Sequence, residues 1–425
     1  MRSKSWDRIK DNIFGTWEKA QDEFIGDSPN PKEVRDALIE YGLQNSLNNS
    51  DFITVEELFL VIDYLQTTFG RKYDPPESIQ TSFLVVVNSM LYHKFSNTVS
   101  KGDFKQEPGE KWPVADLSTR TMSSRAYIMP DKTTPITSSE TLEEMQEVMK
   151  DKVLVLTKQG DLAADVFDTI AAKWLREAKH FDAMVELTAD DFLKARGLKP
   201  ILSGTGRRGG YTEIQREAIQ QQIEILNCTW ITVQEMEYYE VVNGRRKKSK
   251  WRGESKAIVV TSRYGQELTD GNLEIHAWRA RPGDVFTKFL FGPGRQTALL
   301  SQKALQYDHY RQKWEKRLTR YLAWLWRISS GRTREGVFVK TLIDAVGVEI
   351  NTTRPHRTRN RLEDALELLL KDGVISGWEY EDIDENITSK RGWWKDWLDL
   401  KILISAPVEI LEQYKNLNKN AARLN

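Results

Sequence analysis

The stretch Thr352–Ile375, TTRPHRTRNRLEDALELLLKDGVI, admits few folds. Pro355 suits the first turn of a helix, where its missing N–H costs nothing. Leu362, Ala365, Leu366 and Leu369 then recur at helical spacing and predict one buried stripe. His356, Arg357, Asn360 and Arg361 fall away from that stripe, with Arg354 at the helix entrance. The C-terminal half turns acidic at Glu363, Asp364 and Glu367, so only the first two turns favour a polyanion. Gly373 is placed to end the helix, and Val374 and Ile375 to begin an extended segment. Upstream, Phe338–Gly347 reads as a short helix closed by a glycine. Short helix, turn, then a helix with a basic first half is helix-turn-helix order, and a following strand pair would make it a winged helix.

Composition supports this only once the chain is divided. Its 62 basic and 62 acidic side chains cancel. Residues 1–150 carry 17 basic and 24 acidic side chains, whereas residues 295–361 carry 15 and 5. Phosphate responds to the local field, so the neutral total does not exclude nucleic acid. Cys228 is the single cysteine, which excludes an intramolecular disulfide and a cysteine-cluster zinc site. With neither an apolar run of spanning length nor a signal-peptide pattern, the expectation is a soluble cytoplasmic protein without a membrane partner.

Residues 1–96 predict a helical N-terminal region: Ser5–Phe24, Lys32–Leu47, Thr54–Phe69 behind a capping box, and Ser78–Phe95. Residues 97–151, rich in Lys, Ser, Thr, Pro and Gly, read as a linker or loosely ordered loop. A first folded unit is expected over 152–290. It begins with the amphipathic helix Asp161–Lys179, which buries Leu162, Val166, Ile170 and Trp174. A short helix capped by Thr188 and ended by Gly197 follows, then the turn Ser203–Gly210 and a helix over Tyr211–Asn227. Thr229–Val242, Lys256–Arg263 and Leu273–Arg281 alternate as strands. A second unit, 295–415, repeats the plan, leaving 416–425 as a tail. Its long helix, Gln306–Ser329, turns Trp314, Leu318, Tyr321, Leu322 and Leu325 inward and leaves Arg311, Lys313, Lys316 and Arg320 more exposed. After the helix pair, Trp378–Tyr380 and Asp399–Ser405 form a ribbon. Arg207 and Arg357 hold equivalent places in what is a domain duplication.

Several groups could carry chemistry. Gly204–Gly210 is glycine-rich but lacks the Gly-Lys-Ser/Thr ending of a nucleotide loop, so Arg207 and Arg208 are read as backbone contacts. Arg216 and Gln220 on the next helix are candidate readers of guanine and adenine; the alternative is a solvated face with Arg216 paired to Glu213 or Glu217. Arg245, Arg246, Lys247, Lys248 and Lys250 sit at a hairpin tip, a wing suited to phosphates or else a lysine-protected edge strand. His356-x-x-Arg359 has the spacing of tyrosine recombinases, with Trp378 downstream, but the nucleophile position holds Ile387. Tyr307 and Tyr310 suggest the paired tyrosines of nickases, but no His-x-His motif accompanies them. Asp382, Asp384 and Glu385 read as a solvated loop rather than a metal site. No catalytic or metal-binding residue is assigned.

The two-unit plan resembles the plasmid replication initiators that bind repeated origin sites (iterons) through two winged-helix domains. The stretches that carry the resemblance in the first unit are DVFDTIAAKWLREA, LTADDFLKARGL and GRRGGYTEIQREAI. In the second they are RLTRYLAWLWR, FVKTLIDAVGV and RTRNRLEDALELLLKDGVI. The resemblance spans Lys152 to Tyr414. It implies an α+β, mainly α fold of tandem winged-helix domains behind the helical N-terminal region. It also implies sequence-specific binding of duplex DNA at repeated or palindromic sites, origin binding for DNA replication initiation, host replication proteins as partners, a nucleoid location, and no cofactor. A homodimer is compatible with it. The same domains would serve a winged-helix transcriptional regulator, and a recombinase- or nickase-type enzyme is the third class.

Overall fold

The repeated plan is carried by two helices that are buried on more than one face. The structure, a computed structural model, describes residues 82–132, 139–178, 182–201, 210–242, 245–267, 273–287, 289–290, 297–329, 336–382, 392–412 and 414. The helices expected before Ser78, the Arg207–Arg208 turn, Asp384, Glu385 and the 416–425 tail lie outside these residues.

The first unit opens on β1 (Phe83–Val87), α1 (Met90–Lys101), β2 (Val114–Asp116) and β3 (Met122–Ile128). Two expectations are corrected here. Phe83–Val87 is a strand rather than part of a helix, because its β-branched run pairs along its length with β9 (Thr297–Ser301). Within 97–151, expected as a linker, the described residues form regular elements: α1 runs to Lys101, and β3 alternates buried and half-buried side chains inside a sheet. Helix α2 (Ser139–Glu177) crosses the expected boundary at 152 and is broken at Gln159 (φ −128°, ψ 20°). There Gly160 lets α1 pass close by; a Cβ on it would collide with the Val99 carbonyl oxygen.

After the break, Leu162, Val166, Ile170 and Trp174 are buried as expected. Strand β4 (Val185–Thr188), α3 (Ala189–Ala195) and α4 (Glu213–Cys228) follow. Capping boxes at Thr188/Asp191 and Thr212/Gln215 start the two helices. Next come β5 (Thr229–Val242), β6 (Arg245–Lys256), β7 (Ile258–Glu267), β8 (Leu273–Pro282) and α5 (Asp284–Thr287). Apart from β1, which pairs with β9, the strands make two separate sheets, ordered β2-β3-β5-β6 and β4-β8-β7. One hydrophobic core runs from Val87 to Leu290 and includes Phe95, Phe167 and Phe286.

The second unit holds α6 (Lys303–Gln306), α7 (Lys313–Ile328), β10 (Val337–Phe338), α8 (Val339–Val346) and α9 (Pro355–Lys371). Strand β11 (Gly377–Tyr380), α10 (Trp394–Leu398) and β12 (Lys401–Ser405) complete it. Helix α7 is shorter than expected because residues 307–312 leave the helical path. The sheet order is β10-β12-β11. Both units therefore place a strand before a helix pair beside the last strand of the following ribbon. The first unit differs by the β5–β6 hairpin inserted between its second helix and that ribbon.

The long helices α2 and α7 meet through charge. Asp161, Asp165 and Asp168 stand at i, i+4 and i+7 on α2 and are almost fully buried. Arg317 donates to Asp161, Lys316 lies 2.9 Å from Asp165, and Arg320 spans Asp165 and Asp168. Lys316 and Arg320, expected on an exposed face, thus lie in the junction between the units, Lys316 buried and the Arg320 side chain 9% exposed. Arg196, just past α3, reaches the same Asp165 at 3.3 Å. Arg317 also donates to the carbonyls of Val346 and Ser100, so α7 holds α8 and α1 together.

Candidate nucleic-acid interface

Helix α9 is built as its sequence dictates. Asn351 Oδ1 accepts the amides of Thr353 and Arg354 at 3.0 and 2.9 Å, turning the chain into Pro355. Leu362, Ala365, Leu366 and Leu369 are buried, and Thr358 joins them. Helix α7 packs against α9, and α8, which packs on α7, shares the same core through Leu342, Ile343 and Val346. Helix α8 ends at Gly347, whose φ of 73° closes the turn. Gly347 also gives room to the stem of Lys101, whose ammonium donates to the Asp344 carbonyl at 2.8 Å.

The outward arc of α9 then presents Arg354, His356, Arg357 and Asn360, all exposed. Further along the same arc come Asp364 and Glu367, also exposed. The cations are gathered in the first two turns; beyond them Asp364 and Glu367 repel a phosphate backbone, before Lys371 in the last turn.

Two arginines of the helix are committed elsewhere. Arg359 donates to Glu363 at 2.8 Å and lies over the Tyr380 ring, the i,i+4 pairing its position predicts. Arg361, expected as a reader, instead makes a bidentate pair with Glu315 on α7, both bonds 2.8 Å. The ribbon is fastened along the flank of α9, beside its exposed arc. Trp378 Nε1 donates to Glu367, Tyr380 donates to Glu363, and Trp397 Nε1 donates to Tyr380. Burial, with Glu363 beside it, pushes the Tyr380 hydroxyl up to about 12. Tyr307 is buried, donates to Asp372, and is raised well above the ordinary range, by burial first. Neither phenol is disposed to ionise as a nucleophile near neutral pH.

The first unit differs. Arg216 is held by Asp190 of α3 at 2.8 and 3.0 Å, not by Glu213 or Glu217, and Gln220 donates to Glu224. The exposed face of α4 is Glu213, Ile214, Glu217 and Gln221, which offers phosphate no cation. Arg245, Arg246, Lys247 and Lys248 do follow a hairpin turn, at the start of edge strand β6, but their side chains lie outside those described. That hairpin belongs to the four-stranded sheet. The ribbon that shares a sheet with β4, the strand before the helix pair, is β7–β8, which presents exposed Arg263, Tyr264 and Arg279. These three are not evident in the sequence because the denser basic cluster nearby draws the assignment; the alternation in β7 and β8 is the available signal. Lys250 is exposed and pairs with Glu235 at 2.6 Å.

No helix among the described residues is long and apolar enough to cross a membrane. No protein-family model matches the chain, and no curated protein matches it. Among solved structures, it is similar to domains 2 and 3 of RctB in a selenomethionine crystal form. That similarity is 14% identity over 64% of this chain and 85% of the other, with a TM-score of 0.31. A second crystal structure of the same two domains gives 13% identity, 64% and 83% coverage, and a TM-score of 0.29.

Proposed function

We propose that this chain is a sequence-specific duplex-DNA-binding protein that acts as a plasmid-type replication initiator, with two winged-helix units. The observation that carries the proposal is the exposed arc Arg354, His356, Arg357 and Asn360 on a helix whose other faces are spent on packing. Arg and Asn one turn apart suit guanine and adenine on neighbouring base pairs. The strand–helix–helix–ribbon order with sheet order β10-β12-β11 supports a winged helix, and β4-β8-β7 supports its duplication. In this reading the second unit supplies base contacts and the first contributes backbone contacts through Arg263, Arg279 and the β5–β6 hairpin.

The protein binds and does not cut. Repeated origin sites are its target and host replication proteins its partners. Selection from a random duplex pool tests the reading: one enriched motif is expected, recurring in direct repeat beside the gene. No enrichment, or enrichment that survives loss of both Arg357 and Asn360, overturns it. Supercoiled plasmid carrying the motif, incubated with magnesium, is expected to stay uncut; nicked product lost in Y310F would make the chain an enzyme.

A further inference from the structure

Arg361 stands one helical turn after Arg357, where a free guanidinium would be a second base reader. It is not free. Its two terminal nitrogens donate to the two oxygens of Glu315, and its Cζ lies over the Trp314 ring, 5.6 Å from the centroid. The Glu315 side chain is only 3% exposed, so it cannot itself touch DNA. Helix α7, which carries Glu315, is anchored at the next residue: Lys316 donates to the Ala304 and Leu305 carbonyls and faces Asp165.

An apolar stripe alone lets a helix roll by small rotamer changes. A fork-to-fork pair fixes distance and plane together, so it selects one rotation of α9 about its axis. Arg357 and Asn360 lie within a turn of Arg361, and any roll that opened the pair would swing both.

We infer that Arg361 is a positioning residue: through Glu315 it sets the rotation of α9 and so aims Arg357 and Asn360 at their base pairs. This rests on the proposed reading of α9 as the DNA-facing helix.

The test uses the full chain and duplexes carrying the selected motif or one changed base pair at the Arg357 position. Discrimination between the two is measured well below the unfolding temperature for wild type, E315Q, R361Q and E315Q/R361Q. Each single variant is expected to lose discrimination by about tenfold, and the double variant no more than either single one. A purely structural pair would lower the unfolding temperature and leave discrimination unchanged. If Arg361 read a base directly, E315Q would free it and keep full discrimination while R361Q lost it. Either pattern overturns the inference. R361K, which keeps the charge and loses the fork, covers the case in which a glutamine variant fails to fold; it too is expected to lose discrimination, and a full wild-type value overturns the inference. A wild type whose discrimination depends on Arg357 but not on Glu315 refutes this inference alone. A wild type with no preferred motif refutes the reading of α9 and the inference with it.

Discussion

Lys316 is fully buried, and its ammonium lies 2.9 Å from the carboxylate of Asp165 on the equivalent helix of the other unit. Burial lowers this lysine to about 8, against the pull of Asp165, so it is charged at neutral pH. The same carboxylate serves Arg320 at 2.5 Å and Arg196 at 3.3 Å. Asp165→Asn would leave three cations around a neutral amide. It is expected to cost about 3–5 kcal/mol, as breaking a buried pair does. Lys316→Met should cost less, because two guanidiniums still face the carboxylate. Denaturant unfolding of both variants checks the order, and equal costs would refute it.

A histidine makes the fold sensitive to acid. His93 stacks on Trp324 at 4.1 Å, and Asn97 lies 3.3 Å from its Nε2. Burial, helped by Lys94 and Lys101, lowers it from 6.5 to about 4. Below pH 6.5 the unfolded chain takes up a proton that the folded chain refuses. Stability contributed by the neutral ring is therefore present above 6.5, falls as pH drops, and levels off near 4. The full loss is at most about 3 kcal/mol. His93→Phe keeps the stack and should flatten the unfolding temperature between pH 6.5 and 4 relative to wild type.

The arginines of α9 should separate into two classes. Arg357→Ala is expected to weaken the cognate site by about 1–3 kcal/mol and relax preference at one base pair, with unchanged stability. Arg359→Ala removes the bond to Glu363 and the contact with Tyr380, so thermal unfolding should register it and site selection should not.

The β5–β6 hairpin predicts a salt effect without a sequence effect. Replacing Arg245, Arg246, Lys247 and Lys248 together should flatten the slope of log affinity against log salt by about 0.9 for each phosphate no longer neutralised. The preferred motif should be unchanged. An unchanged slope would remove this hairpin from the interface.

Much of the second unit is legible in the sequence because its signals are periodic. Leu362, Ala365, Leu366 and Leu369 name the buried face, and Gly347 and Gly373 mark two helix ends with positive φ. What is not legible depends on distant partners. The run FLVVV fits either a buried helix or a strand until β9 is found to pair with it. Strand β2 is only three residues long and β3 mixes Ser and Arg with its apolar residues, so neither stands out until β3 is found to pair with β2 and β5. At the site, Arg361 looks free in the sequence and Arg216 has only Glu213 and Glu217 within local reach, because Glu315 and Asp190 lie on other elements. One local signal does point to the junction: acidic residues at i, i+4 and i+7 on α2 form a stripe that water alone does not explain.

Strand β1 precedes every other element among the described residues, yet the strand it pairs with is β9, with Phe83 opposite Ser301. On the ribosome, that edge must stay open until nearly all of the first unit and the start of the second have been made. Long-range pairing of this kind slows folding, and an unpaired run of Leu-Val-Val-Val is a template for other chains. A fragment cut after Pro282 should therefore aggregate where the full chain does not, because it carries β1 without the strand that covers its edge.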